Sequence, residues 1–207
     1  GLISNNDYSR MTLRLNTDAQ LSEWMKVGVD INIRQSNVTR PSMEEPESTI
    51  NKALTFTPVF SGQNNDGTWG FGQNGDNPIA VSKAGGVHTG VTPELGVKGF
   101  ISINPFKGFE ILGSYSSRKV EYKSDYFIKP YDTYENGVFR TSYPATGTKK
   151  YEGWSQTITN QFNLQTSYEK TISRNYFKLL GGMQTEERLI RSFSASRKGY
   201  EFEGFEE

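Results

Sequence analysis

The sequence predicts an all-β fold, an antiparallel meander of about six long strands arranged as three hairpins. Apolar and polar residues alternate with period two over long stretches, so each strand has one apolar and one polar face. The composition agrees, since 13 Phe, 11 Tyr and 21 Gly in 207 residues are typical of β structure with many turns. Short polar turns join the two strands of each hairpin, and long Gly-rich segments separate the hairpins.

The first hairpin is predicted from two strands, over 9–21 and 25–38. Between residues 11 and 21 the odd positions carry Met, Leu, Leu, Thr, Ala and Leu, and the even positions are polar. The second strand alternates in the same way from Met25 to Ile33. Ser22-Glu23-Trp24 is a short break between them, so the pair is typical of a hairpin.

The second and third hairpins repeat this pattern. The second has predicted strands over 94–104 and 109–127, joined by an Asn-Pro-Phe-Lys-Gly turn. The third has predicted strands over 153–171 and 176–197, joined at Ser173-Arg174-Asn175. Strands of this length exceed the usual length of about 5–6 residues.

Two long loops lie at the ends opposite the short turns, over about 41–92 and about 129–152. Within the first loop, a short helix is predicted over 47–56 with Ser48 as its N-cap. Residues 63–78 are rich in Gly, Asn and Asp, which favour turns. Loops of this length usually carry function, so we expect them to be more than connectors.

Composition excludes several classes of function. Lys and Arg number 23 and Asp and Glu number 23, and this balance argues against a nucleic-acid partner. The chain has no Cys, which excludes disulfides, thiolate ligands and iron–sulfur clusters, and its one His leaves little room for a multi-His metal site. No stretch of 18 apolar residues exists, so no transmembrane helix is predicted.

The motifs that suggest catalysis or metal binding are weak, and we expect no enzyme activity, cofactor or metal. Gly70-Phe71-Gly72-Gln73-Asn74-Gly75 matches G-x-G-x-x-G, but Asn77-Pro78 is predicted to open a turn where a nucleotide site needs a helix. His88 has no Cys partner and no nucleophilic Ser motif, so it is interpreted as a solvated loop histidine. Asp66 and its Asn neighbours could offer calcium ligands, but Gly62 stands where an EF-hand needs Asp.

The candidate binding residues lie in the two loops. Aromatic rings there can stack on sugars, and the adjacent amides and carboxylates can hydrogen-bond a ligand. The candidates for ligand or partner contact are Trp69, Phe71, Asn65, Asp66, Tyr131 and Tyr134. Trp69 is predicted to be the anchor of this contact. The alternative is that these aromatic residues pack the loops against themselves.

The arrangement of long strands with short turns at one end and long loops at the other is typical of an outer-membrane β-barrel. On this interpretation the apolar faces meet the lipid bilayer and the polar faces line a wet lumen. A soluble β-sandwich shows the same alternation, usually with shorter strands. That alternative predicts a surface binding module or adhesin that recognises carbohydrate through loop aromatics.

Several segments resemble one family of transporters. Residues 6–18, Asn-Asp-Tyr-Ser-Arg-Met-Thr-Leu-Arg-Leu-Asn-Thr-Asp, resemble the first barrel region of SusC/RagA-type TonB-dependent outer-membrane transporters. The turn over 21–28 is similar to that family's turn. The same holds for Asp66-Gly67-Thr68-Trp69, for Asn77-Pro78-Ile79-Ala80 and for the strand over 157–168. The pieces occur in the family's order.

The resemblance implies a function and several partners. A transporter of this family imports glycans or peptides across the outer membrane with a SusD-like surface lipoprotein, and TonB contacts its N-terminal plug. We expect residues 1–207 to be a single segment of the barrel wall that lacks the plug. Such a slice has two open edges, so we expect the isolated fragment to self-associate.

Overall fold

The structure is a computed structural model that describes residues 3–43 and 46–200. Strands make up 70% of the chain and helices 8%, so the all-β prediction is confirmed. In chain order the elements are β1 (Asp7–Ser22), β2 (Met25–Pro41), α1 (Pro46–Thr55), β3 (Trp69–Gly70), α2 (Pro78–Ala84), β4 (Val87–Phe106), β5 (Phe109–Ile128), β6 (Tyr131–Glu135), β7 (Val138–Tyr143), β8 (Lys149–Ile172) and β9 (Asn175–Lys198).

The six long strands form one antiparallel sheet in the order β1-β2-β4-β5-β8-β9. Each long strand pairs with the next long strand along the chain, so the predicted meander of three hairpins is confirmed. The ends of five strands lie within a few residues of the predicted bounds, since the alternation continues to the turns. Strands β1 and β9 are the two edges of this sheet.

Strand β4 is longer than predicted, which corrects the bounds of the first loop. It begins at Val87 instead of residue 94, and Val87 pairs with Pro41 at the far end of β2. The loop predicted over 41–92 therefore covers only 42–86. The Gly, Thr and Pro residues before Glu94 suggested a loop, but the β4–β5 pairs skip residues 92 and 93, so Pro93 lies where that ladder is interrupted.

The apolar residues of neighbouring strands share one face of the sheet. The strand pairing aligns Leu13 with Ile33 and Ile33 with Leu95. These three side chains are 57%, 45% and 44% exposed. In a sandwich a second sheet would bury them, but no element of the described residues covers this face. The structure is therefore a single-layer wall.

The apolar side chains of this face lie toward the short turns, and we call them the apolar band. On β5 this face is apolar from Ile111 to Tyr115 and polar from Ser117 onward. Aromatic rings end the band at the turns: Phe106 stacks on Phe109 with ring centroids 5.1 Å apart, and Tyr168 lies 6.3 and 6.4 Å from them. An apolar band with aromatic margins is typical of a membrane-spanning barrel wall.

The two long loops fold together at the other end of the strands, and we call residues 46–86 and 129–148 the loop module. Its strands form a three-stranded sheet in the order β3-β6-β7, which lies within the loop module and not over the large sheet. The loop predicted over 129–152 thus contains a hairpin and ends where β8 begins at Lys149. The core of the module is Ala80, Val81 and Tyr131, with Met43, Trp69, Ala84 and Tyr143 packed against it.

The helix α2 begins where the sequence predicted a turn. Asn77 is the N-cap: its Oδ1 accepts hydrogen bonds from the amides of Ile79 and Ala80 at 3.1 and 3.3 Å. Pro78 is the first helical residue, where a missing N–H costs nothing. The turn predicted at Asn77-Pro78 is therefore wrong, because the same two residue types also start helices.

The helix predicted over 47–56 is confirmed as α1, but its predicted N-cap is wrong. Ser48 lies inside the first turn of α1, which begins at Pro46. The residues directly before Pro46 lie outside the described residues. Among the described residues, neither helix has the length and apolar character needed to cross a membrane.

The loop module is fixed to the long strands at residues 85 and 86. Backbone amides of Ser42 and Lys129 donate to the carbonyls of Gly86 and Gly85, each at 3.1 Å. Gly86 has φ +89, and a Cβ there would lie 1.9 Å from the Phe127 carbonyl oxygen. Only glycine fits this junction between the end of α2 and the start of β4.

Candidate functional site

The predicted binding residues lie on or beside β3 and β6, two adjacent strands of the small sheet in the loop module. Strand β3 pairs with β6 in parallel, which aligns Trp69 with Thr133 and Gly70 with Tyr134. Trp69 is half-buried, because its ring packs against the core of the module. Only the exposed part of the ring is available to a ligand or a partner. Contact of Trp69 with either one stays a prediction.

Phe71 and Tyr134 are neighbours of Trp69. The amide of Phe71 donates to the carbonyl of Tyr134 at 3.0 Å, and both side chains are half-buried. The Tyr134 ring meets Phe139 edge-on, with centroids 5.9 Å apart. Phe139 is exposed, so this aromatic pair reaches from β6 to the outer strand of the small sheet.

Asn65 and Asp66 lie in an exposed turn that leads into β3. The Oδ1 atom of Asp66 accepts hydrogen bonds from the Thr68 amide at 3.0 Å and the Thr68 hydroxyl at 2.6 Å. These bonds hold the pKa of the Asp66 carboxyl below its ordinary value. Gly67, with φ +87, completes the turn. One oxygen of Asp66 therefore shapes the turn. This is a structural role for Asp66, and it is the alternative to calcium binding.

Tyr131 lies in the core of the loop module. Its side chain is 5% exposed, and its hydroxyl donates to the Gly75 carbonyl at 3.1 Å. The amide of Asn77 donates to the same hydroxyl at 3.3 Å. Tyr131 is thus a core residue of the loop module, whereas the other five candidates keep partly or fully exposed side chains. A loop tyrosine with a structural role and one with a binding role look alike in sequence.

Asn77 is a residue of the loop module that sequence reasoning missed. It is fully buried, and besides capping α2 its Nδ2 donates to the carbonyls of Gly62 and Gly70 at 2.6 and 3.0 Å. These bonds hold the segment before β3 against the start of α2. Asn77 Oδ1 occupies the first amides of α2, where a phosphate would bind, so the G-x-G-x-x-G match at residues 70–75 is a Gly-rich loop. The Asn77-Pro78 pair was the sequence signal that could have predicted this helix start.

His88 is not the solvated loop residue that the sequence suggested. It lies on the polar face of β4 and is 8% exposed. Arg40 Nε donates to His88 Nδ1 at 3.1 Å, and the Tyr122 hydroxyl lies 3.5 Å from Nε2. The ring of Tyr126 lies 5.9 Å from the imidazole and stacks on Tyr151 at 4.7 Å. The prediction failed because β4 begins before His88.

An ionic network lies on the polar face of the sheet, nearer the short turns than His88. The Glu94 side chain is 5% exposed and is bracketed by two guanidinium groups. Arg118 Nε donates to Glu94 Oε1 at 2.8 Å, and Arg34 Nη2 donates to Glu94 Oε2. The alternation predicts that Arg34 faces the lumen. The link to Glu94 and Arg118 was missed, because it depends on the register of three strands.

The chain matches no family model and no curated protein. Among solved structures it is similar to the RagAB peptide transporter, with TM-score 0.62, and to the RagAB peptide importer in its closed-closed and open-open states, with TM-scores 0.64 and 0.66. In each case the identity is 18%, and the match covers 95% of this chain and 22% of the RagAB chain. This chain therefore spans about a fifth of the RagAB chain and has the fold of that segment of it.

Proposed function

We propose that residues 1–207 are a single segment of the barrel wall of a SusC/RagA-like, TonB-dependent transporter of the outer membrane. Its role is the import of glycans or peptides, without catalysis or a cofactor. The observation that carries this proposal is the single-layer sheet, which exposes an apolar face and holds an ionic network on its polar face. The likeness of 95% of the chain to RagAB supports it.

The apolar face requires a nonpolar environment. Side chains such as Leu13, Leu15 and Ile33 stand side by side and exposed, and a soluble protein rarely leaves a contiguous apolar patch of this size in water. Lipid chains remove this cost in a barrel wall, where apolar residues point outward and polar residues inward. The soluble sandwich or adhesin lacks its second sheet, so the transporter is the better account.

The edges of the sheet support the same proposal. The outer sides of β1 and β9 have no partner strand in the described residues. Unpaired backbone groups are costly inside a bilayer, so a wall segment needs further strands on both sides. In the proposed transporter the rest of the barrel supplies these strands. The plug that TonB contacts is a separate part of the same protein. An isolated fragment pairs with its own copies instead.

The loop module is proposed to face the cell exterior and to contact the substrate or a SusD-like lipoprotein. Trp69, Phe71 and Tyr134, with Asn65 and Asp66 beside them, are the proposed contact residues. Apolar side chains also stand exposed elsewhere on the module, on and after α1 and on β7. They are Ile50, Leu54, Val59, Val138 and Phe139. Exposed apolar groups of this kind are typical of a surface that a partner covers.

The test places single cysteines on neighbouring positions of β1 in the full-length protein that contains this chain. The 207 residues have no Cys, so any cysteine elsewhere in the protein is replaced first. Leu15→Cys lies in the apolar band, and Asn16→Cys on the polar face. In outer-membrane vesicles, a water-soluble maleimide should label Asn16→Cys and spare Leu15→Cys. A lipid-soluble maleimide should label Leu15→Cys.

Equal labelling of both positions by the water-soluble reagent would show that neither face meets lipid, and the wall assignment would be wrong. Labelling of both positions after solubilisation in urea is the control, because it shows that each thiol reacts once the strand is exposed. The pair differs by one residue, so the depth along the strand is matched.

A further inference from the structure

The polar face of the sheet concentrates guanidinium groups around one carboxylate. Strand pairing aligns residues of the six long strands in rows across the sheet, and the charged residues of three adjacent rows form this group. The charged residues of these rows are Arg10, Arg14, Arg34, Glu94, Arg118 and Arg188. Among the described residues, Glu94 is the only carboxylate that forms an ion pair with this group, so positive charge is in excess.

The two guanidinium groups that bracket Glu94 retain unused donors. Each guanidinium has five N–H groups, and the bonds to Glu94 use one nitrogen of Arg34 and one of Arg118. Arg34 Nε is buried and has no hydrogen-bond partner in the described structure. The Arg118 side chain is 57% exposed, so its remaining donors face solvent. Glu94 fixes the separation of the two groups and leaves them open to a second acceptor.

The cluster lies where the apolar band ends toward the loop module. On the outward face of β5, Tyr115 closes the band, and Ser117 and Lys119 flank Arg118 in sequence. A solute that enters from the loop side therefore meets Arg118 at the edge of the band nearest the loop module. Between the cluster and the loop module, Tyr122 and Tyr126 offer flat apolar surface on the same polar face.

Resting on the proposed function, we propose that Arg34 and Arg118, held apart by Glu94 and supported by Arg10, bind a carboxylate of the imported substrate. A guanidinium fork matches a carboxylate with two parallel hydrogen bonds, which gives strength and orientation. The substrate class is an organic acid group on a larger molecule. A peptide terminus or acidic side chain and the uronic acid of a glycan share this chemistry.

The test uses two pairs of probes with the purified full-length transporter in detergent. One pair is a tryptic peptide mixture and its methyl-esterified form, and the other is oligogalacturonate and its methyl-esterified form. Esterification removes the carboxylate charge and leaves the rest of each molecule unchanged. Retention of the free acid over its ester, in either pair, supports the proposal. The pair that is retained identifies the source as peptide or acidic glycan.

Variants locate the effect at the cluster. Arg118→Gln and Arg34→Gln should each weaken retention of the free acid by about tenfold or more and leave the ester unchanged. Arg118→Lys keeps the charge but loses the fork, so it should recover only part of the affinity. Arg191→Gln is the matched control, because Arg191 lies on the opposite face of β9 and points away from the cluster.

Two outcomes would overturn the proposal. One is equal retention of acid and ester in both pairs, and the other is an acid preference that survives both glutamine variants. Arg118 is largely exposed, so its variants are expected to fold, and cysteine labelling at positions 15 and 16 verifies that the wall is intact. If labelling supports the wall but acid preference is absent, only this inference fails. If labelling itself fails, the proposed function fails first.

Discussion

The sheet and the loop module of this chain are held together by different means. The six long strands pair their backbones along almost their full length, yet the buried apolar core, formed by Ala80, Val81 and Tyr131, lies wholly in the loop module. The module has a small interior of its own, while no element of the described residues covers the apolar face of the sheet. In the proposed transporter the sheet meets lipid on one side and the lumen on the other, whereas the module packs around its own core.

The largest expected effect comes from placing a charge on the apolar face of the sheet. In the proposed transporter, Leu15→Arg should destabilise the membrane-inserted protein by up to about 2–4 kcal/mol, because a cation within the bilayer loses its hydration. Asn16→Arg, one residue away on the polar face, should cost little. Urea unfolding of the full-length protein in vesicles measures both. Equal costs for the two variants would remove the distinction between the faces.

The second effect is confined to the loop module. Asn77→Ala removes the cap of α2 and leaves the carbonyls of Gly62 and Gly70 without their buried donor. We expect a loss of about 2–3 kcal/mol in the stability of the module, since each lost buried bond costs about 1 kcal/mol or more. Limited proteolysis should cut the loops of the variant first, while the sheet stays resistant.

Asn65→Ala is the control for this prediction, because Asn65 is exposed in the same module and supports no helix. Its protease sensitivity should match the unmodified protein. If Asn77→Ala also made the long strands sensitive, the module and the sheet would fold as one unit and not as two.

The sequence predicted the sheet far better than the module, and the reason is physical. The bounds of β1 and β9 follow from period-two alternation, a local property that each strand shows by itself. The core of the module joins Asn77 to Tyr131, which lie 54 positions apart in the chain. No local pattern encodes a contact at that distance. The link of Glu94 to Arg34 and Arg118 was missed for the same reason. Alternation predicts which face of a strand a residue lies on, but not which residues it meets on the neighbouring strands.

A third prediction concerns the junction between the two regions. Gly86→Ala should destabilise the protein by about 1–3 kcal/mol, because φ +89 is unfavourable for alanine. The added Cβ would also meet the Phe127 carbonyl. The loss should appear both in the protease sensitivity of the module and in the unfolding of the strand ends. Gly137→Ala, also at positive φ but with open space around it, separates the cost of strain from that of the clash.

The smallest effect is a pH dependence in the turn before β3. The pKa of Asp66 is lowered first by its hydrogen bond from the Thr68 hydroxyl and then by the bond from the Thr68 amide. A carboxyl whose pKa is lower in the folded state stabilises that state above its unfolded pKa, near 3.8. That contribution is lost as the pH falls from the unfolded pKa through the folded pKa, so the turn should loosen over this range. Pepsin cleavage of the loop in the full-length protein, compared between about pH 4 and about pH 2, measures the loosening.

Asp66→Asn keeps an oxygen for Thr68 but cannot titrate, so its cleavage should change less over this window than that of the unmodified protein. Asp132→Asn, a matched carboxylate change in the hairpin of β6 and β7, controls for the general effect of acid. If Asp66→Asn and Asp132→Asn changed the pH profile equally, the bonds to Thr68 would not be the cause.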